Sequence, residues 1–329
     1  MTEMNKVERV LAVVRGEQPD RPPVSFWHHF AADQRSGHAA VKAHLKHLDT
    51  YDIDFLKVMF DLGYPHDTPI RSIADLAGLT VTRGDAGVFG EHLATIGALA
   101  SEIGGRAMMV TTIFNAWATL RRLLMTEAYV PGAGPSPLDD PRTVHVAQFA
   151  AQDRAAVAAA LAVIGESLAN FAAQCIEAGA DGIFLSVRDD WLESVGDGPG
   201  TYDELVRSTD AAILAGASQG RFNLLHVCGK AVNFAAFAEY PVHAINWADR
   251  TAGPQIGEVV QTLTPAPCGG LNHLAILPGA SVQSCVEEVH DAVAQAGDRP
   301  IIIAPGCTFD PTRVPPANLA AVRRAVDQL

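Results

Sequence analysis

Short runs of apolar and β-branched residues recur along this chain, and each leads into a stretch whose apolar positions return every three or four residues. That alternation is the pattern of a parallel sheet with crossover helices. Eight runs stand out: Pro23–His28, Phe55–Phe60, Ala107–Ile113, Asp181–Val187, Phe222–Cys228, Val242–Trp247, Ala266–Leu271 and Pro300–Ala304. The sixth and seventh are the weakest. Eight strand-helix units predict an α/β fold, a single (β/α)8 TIM barrel.

The helices are better marked than the strands. Val7, Val10, Leu11 and Val14 repeat at helical spacing before Gly16, and Val282, Cys285, Val286, Val289 and Val293 do so before Gly297, with Ser281 placed to cap the second helix. An alanine-rich segment from Asp153 to Ala178 ends at Gly179 and feeds the fourth run. The proline- and glycine-rich stretch 130–141 is the one candidate linker. It is short and falls in the middle of the pattern, so one domain spanning 1–329 is expected.

Composition narrows the function classes. Hydrophobic residues make up 48% and charged residues 19%, as in an ordinary globular protein, and no polar low-complexity tract argues for disorder. The formal charge of -13 comes with no basic block, which disfavours nucleic acid and anionic membrane as partners. No unbroken run reaches the roughly 18 apolar residues of a membrane span, and the first residues lack an apolar stretch with a cleavage site, so a cytoplasmic protein is expected.

In such a barrel the chemistry sits at the carboxyl ends of the strands. This rim would offer His28, His29, Asp61, Asn115, Arg188, Asp189, Asp190, His226, Cys228, Asp249, Asn272, His273 and Cys307. The five cysteines are not a disulfide framework in a chain of this length, and each is core filler, metal ligand or nucleophile. Cys175 and Cys285 fall on apolar helix faces and Cys268 within a strand, which makes them core. His226 and Cys228 are different, because strand side chains alternate and both therefore point to one face at a strand end. Cys307 closes the last strand. Three mixed sulfur and nitrogen ligands suit a catalytic zinc that keeps one position open for a substrate thiol. Against this stands the commoner fate of a His-x-Cys pair on an apolar strand, which is burial in the core.

The segments RVLAVVRGEQPDRPPVSFW, FAAQCIEAGADGIFLSVRD, LLHVCGKAVNF, HAINWAD, GGLNHLAIL and APGCTFDPTRVPPANLAAVRRAV, in this order, resemble the uroporphyrinogen decarboxylase superfamily. The likeness is to its zinc-dependent branch of methylcobalamin:coenzyme M methyltransferase-like proteins. That branch has a His-x-Cys on one strand and a distant Cys in a GC segment, so the resemblance implies zinc on His226, Cys228 and Cys307. It also implies a role for Asp61 at a strand end, where an Asp capping the next turn is the competing reading. Asp189 and Asp190 would supply a resting fourth ligand or a base for the incoming thiol. His28, His29, Asn272 and His273 are candidate substrate-pocket residues by their rim positions. The decarboxylases proper hold substrate carboxylates on an arginine-rich segment near the first strand. Here VSFWHHFAADQRSG offers only Arg35.

The resemblance thus implies a zinc-dependent methyltransferase that activates a thiol or folate-type acceptor to take a methyl group from a methylated corrinoid. No Asp-x-His-x-x-Gly segment is present to ligate cobalt, so the corrinoid would arrive free or on a separate corrinoid protein. Two other readings stay open: a metal-free lyase of the decarboxylase kind, and a non-catalytic subunit that docks a corrinoid protein. A homodimer is left open as well.

Overall fold

The computed structural model describes residues 3–68, 70–124, 141–188, 203–229, 232 and 234–329. Seven strands form one sheet in sequence order: β1 Phe55–Val58, β2 Met108–Phe114, β3 Gly182–Arg188, β4 Leu224–Cys228, β5 Ala244–Trp247, β6 Ala266–Leu271 and β7 Ile302–Pro305. Every neighbouring pair is parallel. Helices Gly37–Tyr51, Val88–Ile103, Arg154–Glu177, Ser208–Gly216, Val282–Ala296 and Pro316–Val326 are among those that alternate with the strands.

The sequence predicts eight strands, and among the described residues the ladder has seven. The run Pro23–His28 touches it only through isolated parallel bridges, Val24 to Ile303 and His28 to Phe309. Pro22 and Pro23 have no amide to donate, and the Val24 amide goes to the Asp54 carboxylate at 2.8 Å instead of to a neighbouring carbonyl. The segment still fills the eighth place. Ser25 N donates to Ile303 O and Ile303 N to Pro23 O on one side, and Asp54 N donates to Val24 O on the other. Those bonds span the gap between β7 and β1 and curl the sheet into a TIM-barrel-like fold.

The second run also ends early. β1 stops at Val58 because the Met59 amide turns to the imidazole Nε2 of His44 at 3.0 Å. The two weakest runs, by contrast, are strands: β5 and β6. The stretch 130–140 lies outside the described residues.

Strand alternation divides the core in two. Phe55, Val110, Phe184, Leu224, Ala244, Cys268 and Ile302 point into the barrel, where Val10 and Val13 of the helix Lys6–Val14 also pack. Leu56, Leu185, Leu225, Ile245 and Ile303 point outward to the helices. The helix Arg154–Glu177 is long and apolar enough to cross a membrane, although Arg154, Glu166 and Glu177 interrupt its apolar sequence. Val157, Leu161, Ile164, Leu168, Phe171 and Cys175 bury one of its faces in the outer core, as expected of a core helix.

Residues away from the rim secure the opening of the chain. Asp54, fully buried, accepts from Arg9 Nη1 and Arg21 Nη1 at 2.8 Å each as well as from the Val24 amide. Arg9 also bonds Asp20 through Nε at 2.7 Å. This network ties the first helix, the closing segment and β1 to one carboxylate.

Candidate metal centre at the strand ends

On β4, Leu224 faces into the barrel and Leu225 faces out, so alternation turns His226 and Cys228 inward at the carboxyl end. Cys307 reaches the same place from beyond β7. Gly306 makes this approach possible: a Cβ there would stand 2.6 Å from the Ala248 Cα, so only glycine lets the chain pass so close to the end of β5. The ligand atoms of His226, Cys228 and Cys307 all lie within 4.8 Å of one another, with Cys307 Sγ 3.5 Å from His226 Nε2. Among the described residues this is the one group of three or more His, Cys, Asp or Glu side chains so arranged.

The imidazole is held by a residue that sequence reasoning missed. Asn246 lies opposite His226 in the ladder, on β5. Its Nδ2 donates to Cys268 O at 2.8 Å and to Pro305 O at 3.1 Å, which turns Oδ1 toward His226. Oδ1 therefore accepts the Nδ1–H at 2.6 Å, and the lone pair of Nε2 faces the two sulfurs. Phe184 stacks against the ring with centroids 5.4 Å apart. The signal was there to read, since Asn246 is in phase with the inward Ala244 in an otherwise apolar strand.

Lys57 is the second missed residue. It is inward on β1, in phase with Phe55, and buried. Its Nζ sits 4.1 Å from the Phe184 ring centroid and 5.8 Å from that of Trp27, with the Met59 sulfur at 3.2 Å. Burial pulls its pKa down to about 8, against the opposing pull of Cys307 and Asp61. Cys228 and Cys307 move each other's acidity in opposite directions. A hydrogen bond from Cys228 lowers the Cys307 thiol, helped by Thr308 and Lys57, while the same bond and burial push Cys228 up. Cys307 is accordingly the thiolate of the pair.

A zinc ion fits this donor set. Tetrahedral bonds of about 2.3 Å to sulfur and about 2.05 Å to nitrogen give an S···N edge of roughly 3.6 Å, close to the spacing between Cys307 and His226. The nitrogen already presents its lone pair, and Cys228 and Cys307 keep part of their surface accessible.

The other rim residues divide among several roles. Asp61 accepts His29 Nδ1–H through both oxygens, at 3.0 and 2.9 Å. Burial raises its pKa, but His29, Lys57 and Arg122 together hold it below the usual range. Asp61 also lines a cavity of about 280 Å³ with Tyr64, Phe114, Thr119 and Arg122, whose guanidinium lies 3.5 Å from the Phe114 ring centroid. His28 packs its ring among Phe30, His47 and Phe309, and its Nδ1 donates to His29 O at 2.9 Å. His273 is buried and drawn down to about 4 by desolvation and by nearby His226. The Asn272 side-chain oxygen accepts the amides of Leu274 and Ala275 at 3.1 and 3.0 Å and so holds the turn after β6. Asn115 caps the helix Ala116–Leu123 through Ala118 N, and Asp249 accepts from Gly270 N. Asp189 and Asp190 lie outside the described residues. Cys175, Cys268 and Cys285 are buried core.

The uroporphyrinogen decarboxylase (URO-D) family model matches residues 61–329, most of the chain and all three cluster residues. A methyltransferase from Methanosarcina mazei shares the fold with a TM-score of 0.77 at 16% identity, over 99% of this chain and 99% of that one. A B12-independent methionine synthase from Shewanella sp. W3-18-1, in complex with selenomethionine, aligns with a TM-score of 0.47 at 9% identity over 72% and 66% of the two chains. No curated protein matches the sequence significantly.

Proposed function

Because this chain belongs to the uroporphyrinogen decarboxylase family, and because two cysteines and an oriented histidine meet at the mouth of its barrel, we propose that it is a zinc-dependent methyltransferase. The acceptor is a thiol or folate-type compound and the donor a methylated corrinoid, free or on a corrinoid protein. The observation that carries this reading is the convergence of His226 Nε2 with the Cys228 and Cys307 sulfurs within 4.8 Å, on residues distant in the chain.

When bound, the zinc would keep an acceptor sulfur in its thiolate form at neutral pH. The protein's own groups do the rest. Asn246 fixes the His226 tautomer so that Nε2 stays a ligand. The two cysteines supply negative charge that leaves an acceptor sulfur electron-rich, which favours attack at carbon over hydrolysis. Lys57 contributes a buried positive charge close to that thiolate pair. Transfer itself is a displacement at the methyl carbon, for which holding the two partners in line is the main contribution.

The test is metal analysis of the purified protein with X-ray absorption, combined with methyl transfer from methylcobalamin to a panel of thiols. The expected result is close to one zinc with two sulfur ligands and a rate above background. Cys307→Ser is expected to lower both zinc content and rate with the fold retained.

One observation favours a second reading, a metal-free lyase on a small acid. The cavity beside Asp61 is also lined by Arg122, whose guanidinium could hold a substrate carboxylate. Zinc below about 0.2 equivalents after metal-replete expression, where a one-site catalytic metal should approach one, would favour it.

A further inference from the structure

His29 lies at the same end of the barrel as the metal centre without belonging to it. Its backbone follows His28, which bridges Phe309 two residues beyond Cys307, so the rim runs from Cys307 through His29 to Asp61. Lys57 interacts with the charges of both Cys307 and Asp61, which sets the Asp61–His29 pair one buried cation away from the triad. The Asp61 side chain is 2% exposed and that of His29 17%. Both Asp61 oxygens face Nδ1, so Nδ1 carries the proton and Nε2 is left as the basic nitrogen. Among the described residues no group hydrogen-bonds Nε2.

We propose that His29 is the proton acceptor for the incoming thiol and that Asp61 is the residue that positions it. The inference rests on the thiol methyl-transfer reading. In the step, the acceptor S–H bond breaks, its electron pair stays on sulfur and a bond forms between the proton and His29 Nε2. The imidazolium then stays paired with the buried Asp61 carboxylate while the acceptor is bound, and solvent takes the proton at the exposed edge once the methylated product has left. Such pairing lets a histidine accept a proton in an otherwise apolar setting.

The groups that face the pair are Lys57 from β1, Arg122 from the helix Ala116–Leu123, His28 from the closing segment, His44 from the helix Gly37–Tyr51 and His92 from the helix Val88–Ile103. Burial draws His44 down to about 4 and His92 to about 3, so neither carries a charge at neutral pH. His44 is further committed by bonds to Ala40 O and Met59 N, and His92 by its bond to Thr111. Of these rings His29 is the one that pairs one nitrogen with a carboxylate and leaves the other without a hydrogen bond among the described residues.

The experiment compares zinc-loaded wild type with His29→Asn and Asp61→Asn, using methylcobalamin and two acceptors, mercaptoethanol and the far more acidic pentafluorothiophenol. His29→Asn is expected to lose about a hundredfold or more with mercaptoethanol. With pentafluorothiophenol, already a thiolate, it should lose less than about tenfold. Raising the pH should restore the mercaptoethanol rate, and zinc content should not change. Asp61→Asn should show the same acceptor dependence with a smaller loss. Equal losses with both acceptors, or none with either, would overturn the proposal.

A second readout needs no methyl donor. In ring-labelled wild type the His29 signal, assigned by its disappearance in His29→Asn or His29→Gln, should change from the Nδ1–H form to the doubly protonated ring when mercaptoethanol is added. A ring that stays neutral overturns the proposal. Wild type that transfers methyl to neither thiol counts against the methyltransferase reading, and the ring signal then still decides whether His29 takes the proton.

Discussion

Asn246 offers the sharpest test of the metal centre, because it never touches the ion it would control. Its side chain makes one bond to the His226 ring and two to the Cys268 and Pro305 carbonyls, all buried. Asn246→Leu keeps the branched shape and removes all three. Loss of such an outer partner typically weakens a metal site about 10- to 100-fold, which corresponds to about 1.4–2.7 kcal/mol. The bare carbonyls and imidazole N–H add a folding penalty of about 1–3 kcal/mol for each group left unsatisfied. Asn246→Asp separates the two effects. It keeps an acceptor for His226 Nδ1, so zinc affinity should stay near wild type, but it sets an oxygen against two carbonyls, so stability should fall. Zinc affinity is read by competition with a chromophoric chelator, and stability by urea unfolding of the metal-free protein. A zinc Kd within about twofold of wild type in Asn246→Leu, with the fold intact by circular dichroism, would refute the orienting role.

Asp54→Asn should cost about 3–5 kcal/mol in urea unfolding, because it strips the countercharge from the buried Arg9 and Arg21, and a loss below about 1 kcal/mol would contradict this. Burial pushes the Asp210 carboxyl up to about 7 although Tyr240 donates to it at 2.8 Å. A carboxyl raised in the folded state binds more protons there than in the unfolded chain. Its contribution to stability is therefore complete below about 3.9 and is lost as pH rises through about 7. Asp210→Asn should flatten the pH dependence of unfolding between these limits, and an unchanged profile would show that Asp210 is not the titrating group. Gly306→Ala should disturb Cys307 more than the barrel, lowering zinc occupancy with little change in far-ultraviolet circular dichroism, because its Cβ meets the backbone at the end of β5.

The alternation of the chain carried most of the architecture into view. β5 and β6 are short and carry asparagine, proline and glycine, yet both runs are strands, because an inward position in a narrow barrel takes small residues as readily as branched ones. Phase made two of the triad legible, since His226 and Cys228 are two apart on one strand, while Cys307 stands just beyond the last one. What phase cannot reveal is where a backbone amide finds its partner. Pro23–His28 reads as a strand but spends its Val24 amide on Asp54, and Asn272 reads as a pocket residue while its side chain holds a turn. Those outcomes depend on groups thirty residues away or on the geometry of a loop, and neither is written in local periodicity.

The positions that break local rules are the ones that gather at the mouth of the barrel. Lysine in an apolar strand, asparagine in another, a closing segment that leaves the ladder and a glycine forced against a backbone each carry a cost to folding. Lys57 loses hydration, Asn246 must be satisfied three times over, and the Pro23–His28 segment forgoes ladder bonds. Were these scattered, each would need its own structural account. They instead gather at one end of the barrel: Asn246 grips His226, Lys57 lies across the ring that stacks on it, Gly306 admits Cys307, and the irregular closing segment leads directly into His29, which reaches Asp61. A site maintained at the expense of stability in four separate elements is better explained by selection for chemistry at that end than by packing. Replacing Lys57 by methionine should therefore raise the stability of the metal-free protein while impairing its zinc-loaded function, and a variant that lost stability instead would make Lys57 a structural residue.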